Sequence, residues 1–249
     1  MGFSMIPIFT STYSFRSILT LDKPKDVKEG GADSIIDLCL KNGIKDCHIV
    51  ENNFSGFLTA WKNCSDAGLN LIWGLLLNVV DDLNAKDEKA NANLHKVIVW
   101  VLNTQGYYDL IKIWNKANLE GFYYVPRIDE KSLKQLITNN LAVSIPFYDS
   151  FIYNNHLTLN NTVFDAKIFN AKLHIESNNI LYDALLQSAV RKYAENNGLQ
   201  TIETKSIYYS KRSDFLAWQT YKCILNRSKF SAPEMEYCSS DEFCLEALK

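Results

Sequence analysis

The stretch K-L-H-I-E (Lys172–Glu176), followed by Y-D-A-L-L-Q-S-A-V-R-K-Y-A-E-N (Tyr182–Asn196), Gly198 and Q-T-I-E-T (Gln200–Thr204), decides the fold class. It reads as a strand, a helix stopped by a glycine, and a second strand. Two strands joined through a helix lie parallel in a sheet, so this one unit points to α/β architecture.

The same alternation continues upstream. A strand is expected over Ile6–Phe9, and after the polar stretch Lys23–Gly31 either Asp33 or Ser34 caps a helix carrying Ile35, Ile36, Leu38 and Leu40. That helix ends at Asn42-Gly43, and strand Cys47–Val50 follows. Next come helix Phe57–Asp66 with its stop near Gly68, and a strand from Leu71 through Gly74 towards Val80. Asp81–Asn93 is a polar loop, Lys96–Leu102 a strand, Gly106–Ala117 an amphipathic helix and Leu141–Ile145 a strand. Asp149–Asn170 shows no clear period, and a last helix spans about Ser213–Leu225. Roughly six or seven β-then-α units without a linker predict one barrel-like α/β domain over residues 1–249, with a parallel sheet wrapped by helices.

Composition excludes several classes. With 249 residues, 47% of them hydrophobic, the chain can bury a substantial core. A net charge of −2 lacks the basic excess of a protein whose whole surface grips nucleic acid. Of six cysteines (Cys39, Cys47, Cys64, Cys223, Cys238, Cys244) none forms a CxxC pair, which predicts reduced, mostly buried thiols. Met1–Thr10 lacks the basic start and apolar run of a signal peptide. The longest nearly apolar run, Leu71–Val80, falls far short of the roughly 20 residues of a spanning helix, so a cytoplasmic protein without membrane contact is expected. No Walker A loop, GxGxxG, GxSxG or HExxH occurs.

Several stretches, in order, resemble the polymerase and histidinol phosphatase (PHP) domain that opens bacterial DNA polymerase III α subunits. Thr12-Tyr13-Ser14 stands where that family has the end of H-x-H-x-x-Y-S, and Ile49–Gly56 where it has L-T-D-H-G and a following glycine. G-L-N-L-I-W-G (Gly68–Gly74) is similar to G-I-K-P-I-x-G, and G-F-Y-Y-V-P-R-I-D (Gly121–Asp129) to G-x-Y-Y-x-P-R-I-D. N-T-Q-G-Y-Y-D-L-I-K-I-W-N-K-A (Asn103–Ala117), Gly198–Tyr209 and Ser240–Phe243 carry further similarity. The resemblance covers essentially the whole chain. It implies a distorted seven-stranded (β/α) barrel, TIM-like and of PHP type.

The resemblance also implies a site at the barrel mouth for up to three metal ions, zinc, manganese or magnesium, held by His, Asp, Glu and sometimes Cys. Such metals bind imidazole, thiolate and carboxylate well and neutral hydroxyls poorly. Here the two opening His positions are Ile8 and Thr10, and the Asp-His pair is Glu51-Asn52. The following Glu falls on Leu76, a further His on Lys96 beside His95, the Cys on Pro146, and the late Asp and His on Ser206 and Tyr208. Glu51 is the one surviving carboxylate; with Asn52 it can hold a weak magnesium if phosphates and waters complete the octahedron. His48, His156 and His174 read as ordinary surface or hydrogen-bonded histidines.

These substitutions predict a catalytically degenerate PHP domain with no cofactor and no catalytic residue. The expected role is a non-catalytic module in DNA replication that contacts a polymerase body or a proofreading exonuclease. Two other readings stand beside it: a metal-dependent phosphoesterase or 3′-5′ exonuclease rebuilt around Glu51, and an N-terminal fragment of a full C-family polymerase. A locally basic segment with interleaved aromatics (Lys205, Lys211, Arg212, Lys222, Arg227, Lys229; Tyr208, Tyr209, Trp218, Tyr221) offers a weak DNA contact. A solvated helix with a buried aromatic stripe is the plainer reading, because Glu234–Glu246 nearby is acidic.

Overall fold

The computed structural model describes residues 5–229 and 240–248. In chain order its elements are β1 (Ile6–Phe9), α1 (Ile35–Lys41), β2 (Asp46–Glu51), α2 (Phe57–Asp66), β3 (Asn70–Val80), β4 (His95–Val101), α3 (Thr104–Leu119) and β5 (Arg127–Asp129). They continue with α4 (Glu130–Leu136), β6 (Leu141–Ile145), α5 (Phe151–Leu157), β7 (Lys172–Ile175), α6 (Asp183–Asn197), β8 (Thr201–Ile207) and α7 (Phe215–Asn226). The strands hydrogen-bond in the order β2-β1-β8-β7-β6-β4-β3-β5, and β2 also pairs with β3. The pairing therefore closes through seven strands, with β5 added on β3 outside the ring, which is the TIM-like α/β barrel topology of the PHP type.

Local chemistry places the boundaries. The Ser34 hydroxyl accepts the Asp37 N–H at the start of α1, Asn103 accepts the Gly106 N–H at the start of α3, and Ser150 accepts the Tyr153 N–H at the start of α5. Past α2 and α6 the chain turns through Gly68 (φ 69°) and Gly198 (φ 64°), a conformation that costs glycine nothing.

Two expectations need correction. The sheet is not wholly parallel: β4 runs antiparallel to both β3 and β6. No helix separates β3 from β4, and without a crossover the chain returns in the opposite direction. The unperiodic stretch Asp149–Asn170 holds α5 and a turn of 3₁₀ helix at Ala166–Phe169, so His156 lies on a helix.

The chain divides into two compact units. The first comprises residues up to Trp73, Glu176–Asp183 and Glu203 onward. There β1 pairs in parallel with β2 (Ile8↔His48, Phe9↔Ile49) and with β8 (Ile8↔Ser206, Phe9↔Ile207). Phe9, Ile35, Cys39, Ile49, Cys64 and Ile207 are fully buried in its core.

The second unit comprises Gly74–Ile175 and Ala184–Ile202. Val97, Val99, Leu110, Ile113, Ile128 and Leu133 are fully buried there. Gly74 leaves room for the Trp100 ring, which a Cβ would meet at 2.8 Å, and the Trp100 N–H donates to Ser144 Oγ at 2.7 Å. Arg127 is fully buried and donates to the carbonyls of Gly121, Leu83, Ala85 and Ala90 and to Asn91 Oδ1. It ties the polar loop after β3 to the start of β5.

Candidate functional site

In the first unit the positions that the resemblance assigns to ligands gather at the ends of β1, β2 and β8. Side chains alternate along a strand, so the register sets Ile8 on the face of His48 and Ser206, and Glu51 on the opposite face with Phe9 and Ile49. Glu51 is fully buried. The Ser11 N–H donates to its Oε1 at 2.8 Å, and the Ser14 hydroxyl donates to Oε2. Ser14 Oγ in turn accepts the Asn52 N–H at 2.9 Å, and Asn52 Nδ2 donates to the Ser14 carbonyl at 3.2 Å. Burial pushes the Glu51 carboxyl up, and the Ser11 and Ser14 hydrogen bonds and the Arg16 charge oppose that rise. Both carboxylate oxygens are thus engaged by the protein itself.

Tyr208, one residue past β8, is buried. Its ring stacks on Trp218 with centroids 5.6 Å apart and on Phe243 at 5.7 Å. Arg16 Nη2 donates to the Tyr208 hydroxyl at 3.0 Å, and the Trp218 N–H donates to the Arg16 carbonyl at 2.9 Å. Ser206 Oγ donates to Glu176 Oε1 at 2.7 Å, while Glu176 Oε2 accepts the Ser206 N–H at 3.2 Å and Asn178 Nδ2 at 2.8 Å. Burial pushes the Glu176 carboxyl up, and the Ser206 and Asn178 bonds and the Lys205 charge oppose it. Thr10 is buried beside Ser11 at the end of β1.

Three further positions lie in the second unit. Leu76 on β3 faces Ile98 on β4, which faces Ser144 on β6, so hydrocarbon and one hydroxyl form that row. Lys96 forms an ion pair with Asp149 at 2.6 Å, and Pro146 follows directly on β6. His95, one residue from Lys96, is buried on the other face of β4 against Phe151 and Phe164. Burial lowers its imidazole pKa from 6.5 to about 4, with the Asn93 carbonyl and Asp81 opposing.

The basic segment does not form one surface. Lys205 is buried at 1% exposure, donating to the Ser177 carbonyl at 3.1 Å and facing Glu242 at 3.5 Å. That is a correction: on β8 Lys205 alternates away from Ser206, and burial lowers its pKa against the pull of Glu242 and Glu176. Arg212 pairs with Glu242 at 2.7 Å, Lys222 is half-buried, and Lys211, Arg227 and Lys229 are exposed. The aromatic residues Tyr208, Tyr209 and Trp218 turn inward, so they form the buried stripe and not a platform for bases. Glu234 and Cys238 lie outside the described residues.

A family model for the PHP domain matches residues 29–158. The chain belongs to the PHP domain family. Its relatives include the DNA polymerase III subunit alpha of Helicobacter pylori (strain ATCC 700392 / 26695), 25% identical over 202 residues that make up 73% of this chain and 16% of that protein. The subunit of the same name from Borreliella burgdorferi is 25% identical over 238 residues, 86% of this chain and 20% of that protein. That of Treponema pallidum is 23% identical over 207 residues, 78% and 18% respectively. The chain therefore spans a fifth or less of the length of these relatives.

Against the PHP frame, the donor set does not fit a three-metal centre. Ile8, Leu76 and Pro146 have no side-chain lone pair, and the oxygens of Glu51 are taken up by Ser11 and Ser14. Among the described residues no group of three or more His, Cys, Asp or Glu side chains is arranged to hold an ion. Two residues escaped the sequence reading. Glu176 carried a usable signal, a carboxylate directly after a late strand, whereas nothing local marks Arg16.

Proposed function

We propose that this PHP domain is catalytically degenerate and serves DNA replication as a structural and protein-interaction module. The observation that carries the reading is Tyr208. Where the resemblance places a metal-binding imidazole stands a phenol, stacked on Trp218 and Phe243, with its hydroxyl held by the Arg16 guanidinium. A fixed cation 3.0 Å from that hydroxyl opposes a divalent ion there. Water activation at neutral pH needs a firmly held metal, and neither Glu51 with its donors nor Glu176 with Ser206 leaves a carboxylate aimed at one.

The replication context comes from relatives that are polymerase subunits. The polymerase body and a proofreading exonuclease are the partners the reading favours. Among the described residues no helix is long and apolar enough to cross a membrane.

Elemental analysis tests the loss of chemistry. After incubation with zinc, manganese and magnesium and then desalting, less than about a tenth of an equivalent of each should remain. Stoichiometric metal that disappears in Glu51→Ala would falsify the reading. Affinity purification from the source cell tests the module role: a polymerase or exonuclease subunit is expected, and recovery of no replication protein counts against it.

A further inference from the structure

Between α3 and β5 the chain makes a tight turn through Gly121–Val125, closed by a bridge between Tyr123 and Val125 in which the Tyr123 N–H donates to the Val125 carbonyl at 3.1 Å. Around it, Leu119 (83%), Phe122 (51%), Tyr124 (80%) and Val125 (36%) are exposed, four large apolar side chains in seven consecutive residues. Single exposed apolar residues are ordinary, but such a concentration is not. Tyr124 also has φ 61°, a left-handed conformation that costs a residue with a Cβ roughly 1–2 kcal/mol. Strain held at an exposed aromatic residue points to a use for its position.

The turn is fixed from beneath. Arg127 Nε donates to the Gly121 carbonyl at 2.9 Å, and its guanidinium lies 5.2 Å from the centre of the Tyr123 ring. A Cβ at Gly121 would sit 2.0 Å from the Arg127 carbonyl, so the backbone is pressed directly against β5. Asn91 Nδ2 reaches the Tyr123 carbonyl at 3.4 Å. A rigid mount presenting aromatic side chains meets the main requirement of a binding anchor, which is low entropy cost on docking.

We propose that this turn is a docking knuckle that inserts Phe122 and Tyr124 into an apolar socket, rimmed by basic side chains, on a protein partner. Charge selects the occupant. The loop that wraps Arg127 carries exposed Asp81, Asp82, Asp87 and Glu88 against only Lys86 and Lys89. Asp87 lies close enough to act on Tyr123, and Asp82 on Arg127. Nucleic acid is disfavoured, because such a rim repels phosphates and binding to single strands needs a basic groove beside its aromatic rings. A second copy docking through the same turn would set acidic rim against acidic rim. The assignment holds whether or not the domain has lost its metal chemistry.

The test uses the full chain in its source cell, with p-benzoylphenylalanine in place of Phe122 and, as a control, in place of Leu181, which is fully exposed in the other unit. One protein should crosslink at 122 and not at 181, through an apolar peptide flanked by Lys or Arg. Tyr124→Gly should lower that yield at least about tenfold, the loss of one anchor residue. It should not lower the melting temperature, because glycine adopts the positive φ freely. Asp82→Lys with Asp87→Lys should also lower the yield. The proposal is overturned by crosslinks to nucleic acid or only to this chain, by their absence, or by a yield that Tyr124→Gly leaves unchanged. Binding of a labelled oligothymidine that Tyr124→Gly abolishes would likewise overturn it.

Discussion

Two buried carboxylates of the first unit and a buried guanidinium of the second are solvated in opposite ways. The first holds two carboxylates, Glu51 and Glu176, and solvates them with serine hydroxyls, an asparagine amide and backbone N–H groups, with Arg16 and Lys205 nearby. The second holds a guanidinium, Arg127, solvated by four backbone carbonyls, one asparagine oxygen and the face of a tyrosine ring. A charge held by side chains is open to piecemeal change, one donor exchanged for another. A charge held by carbonyls depends on the path of the chain.

The largest expected effect lies at Arg127. Arg127→Met retains much of the stem but leaves the carbonyls of Gly121, Leu83, Ala85 and Ala90 without their donor. Buried groups stranded in this way cost about 3–5 kcal/mol in total. Urea unfolding should show that loss, and hydrogen exchange should show early opening of residues 82–91. Should the variant unfold within about 1 kcal/mol of the parent, the carbonyl cage is not what holds the loop, and the contrast between the units fails.

A second prediction concerns a neutral group. His95 is packed against Phe151 and Phe164 with its pKa lowered from 6.5 to about 4. Between those values the unfolded chain binds a proton that the folded chain does not, so the stabilisation is complete above pH 6.5 and is lost as pH falls to 4. The shift is worth about 3 kcal/mol. Glu51 and Glu176 act in the opposite sense, because a raised carboxyl pKa favours the fold at low pH and loses that contribution as pH rises. Comparison with His95→Leu separates the two. Parallel stability curves for parent and variant between pH 4 and 6.5 would show that the imidazole does not sit in a dry environment.

How much of this could be read in advance follows from what each feature depends on. Helix Phe57–Asp66 and strand Leu141–Ile145 were legible to the residue, because their limits rest on local pattern and turn chemistry. The antiparallel course of β4 was legible in the same way, because the polar loop Asp81–Asn93 supplies no crossover helix between β3 and β4. Ser206 and Tyr208 were singled out through motif register, yet their surroundings were not legible. Arg16 meets Tyr208 across 192 residues, a contact no local rule anticipates. Lys205 shows the same limit: it was grouped with the basic segment as a weak DNA contact, and the alternation of β8 with Glu242 opposite turned it inward.

The smallest effect probes how the first unit keeps its anion. Ser14 Oγ both donates to Glu51 Oε2 and accepts the Asn52 N–H, so Ser14→Ala removes one partner from a buried carboxylate and one from a backbone donor. The expected loss is about 1–3 kcal/mol. Its pH dependence is more telling than its size. Without the hydroxyl that opposes burial, the Glu51 pKa rises further, and the ionised form is the one penalised. The gap between parent and Ser14→Ala should therefore widen as pH rises, because in the fold Glu51 ionises at a lower pH in the parent than in the variant. A gap independent of pH would mean that Ser14 merely fills space and spaces the β1 loop from β2. In that case Glu51, like Arg127, would be held chiefly by backbone, through the Ser11 N–H.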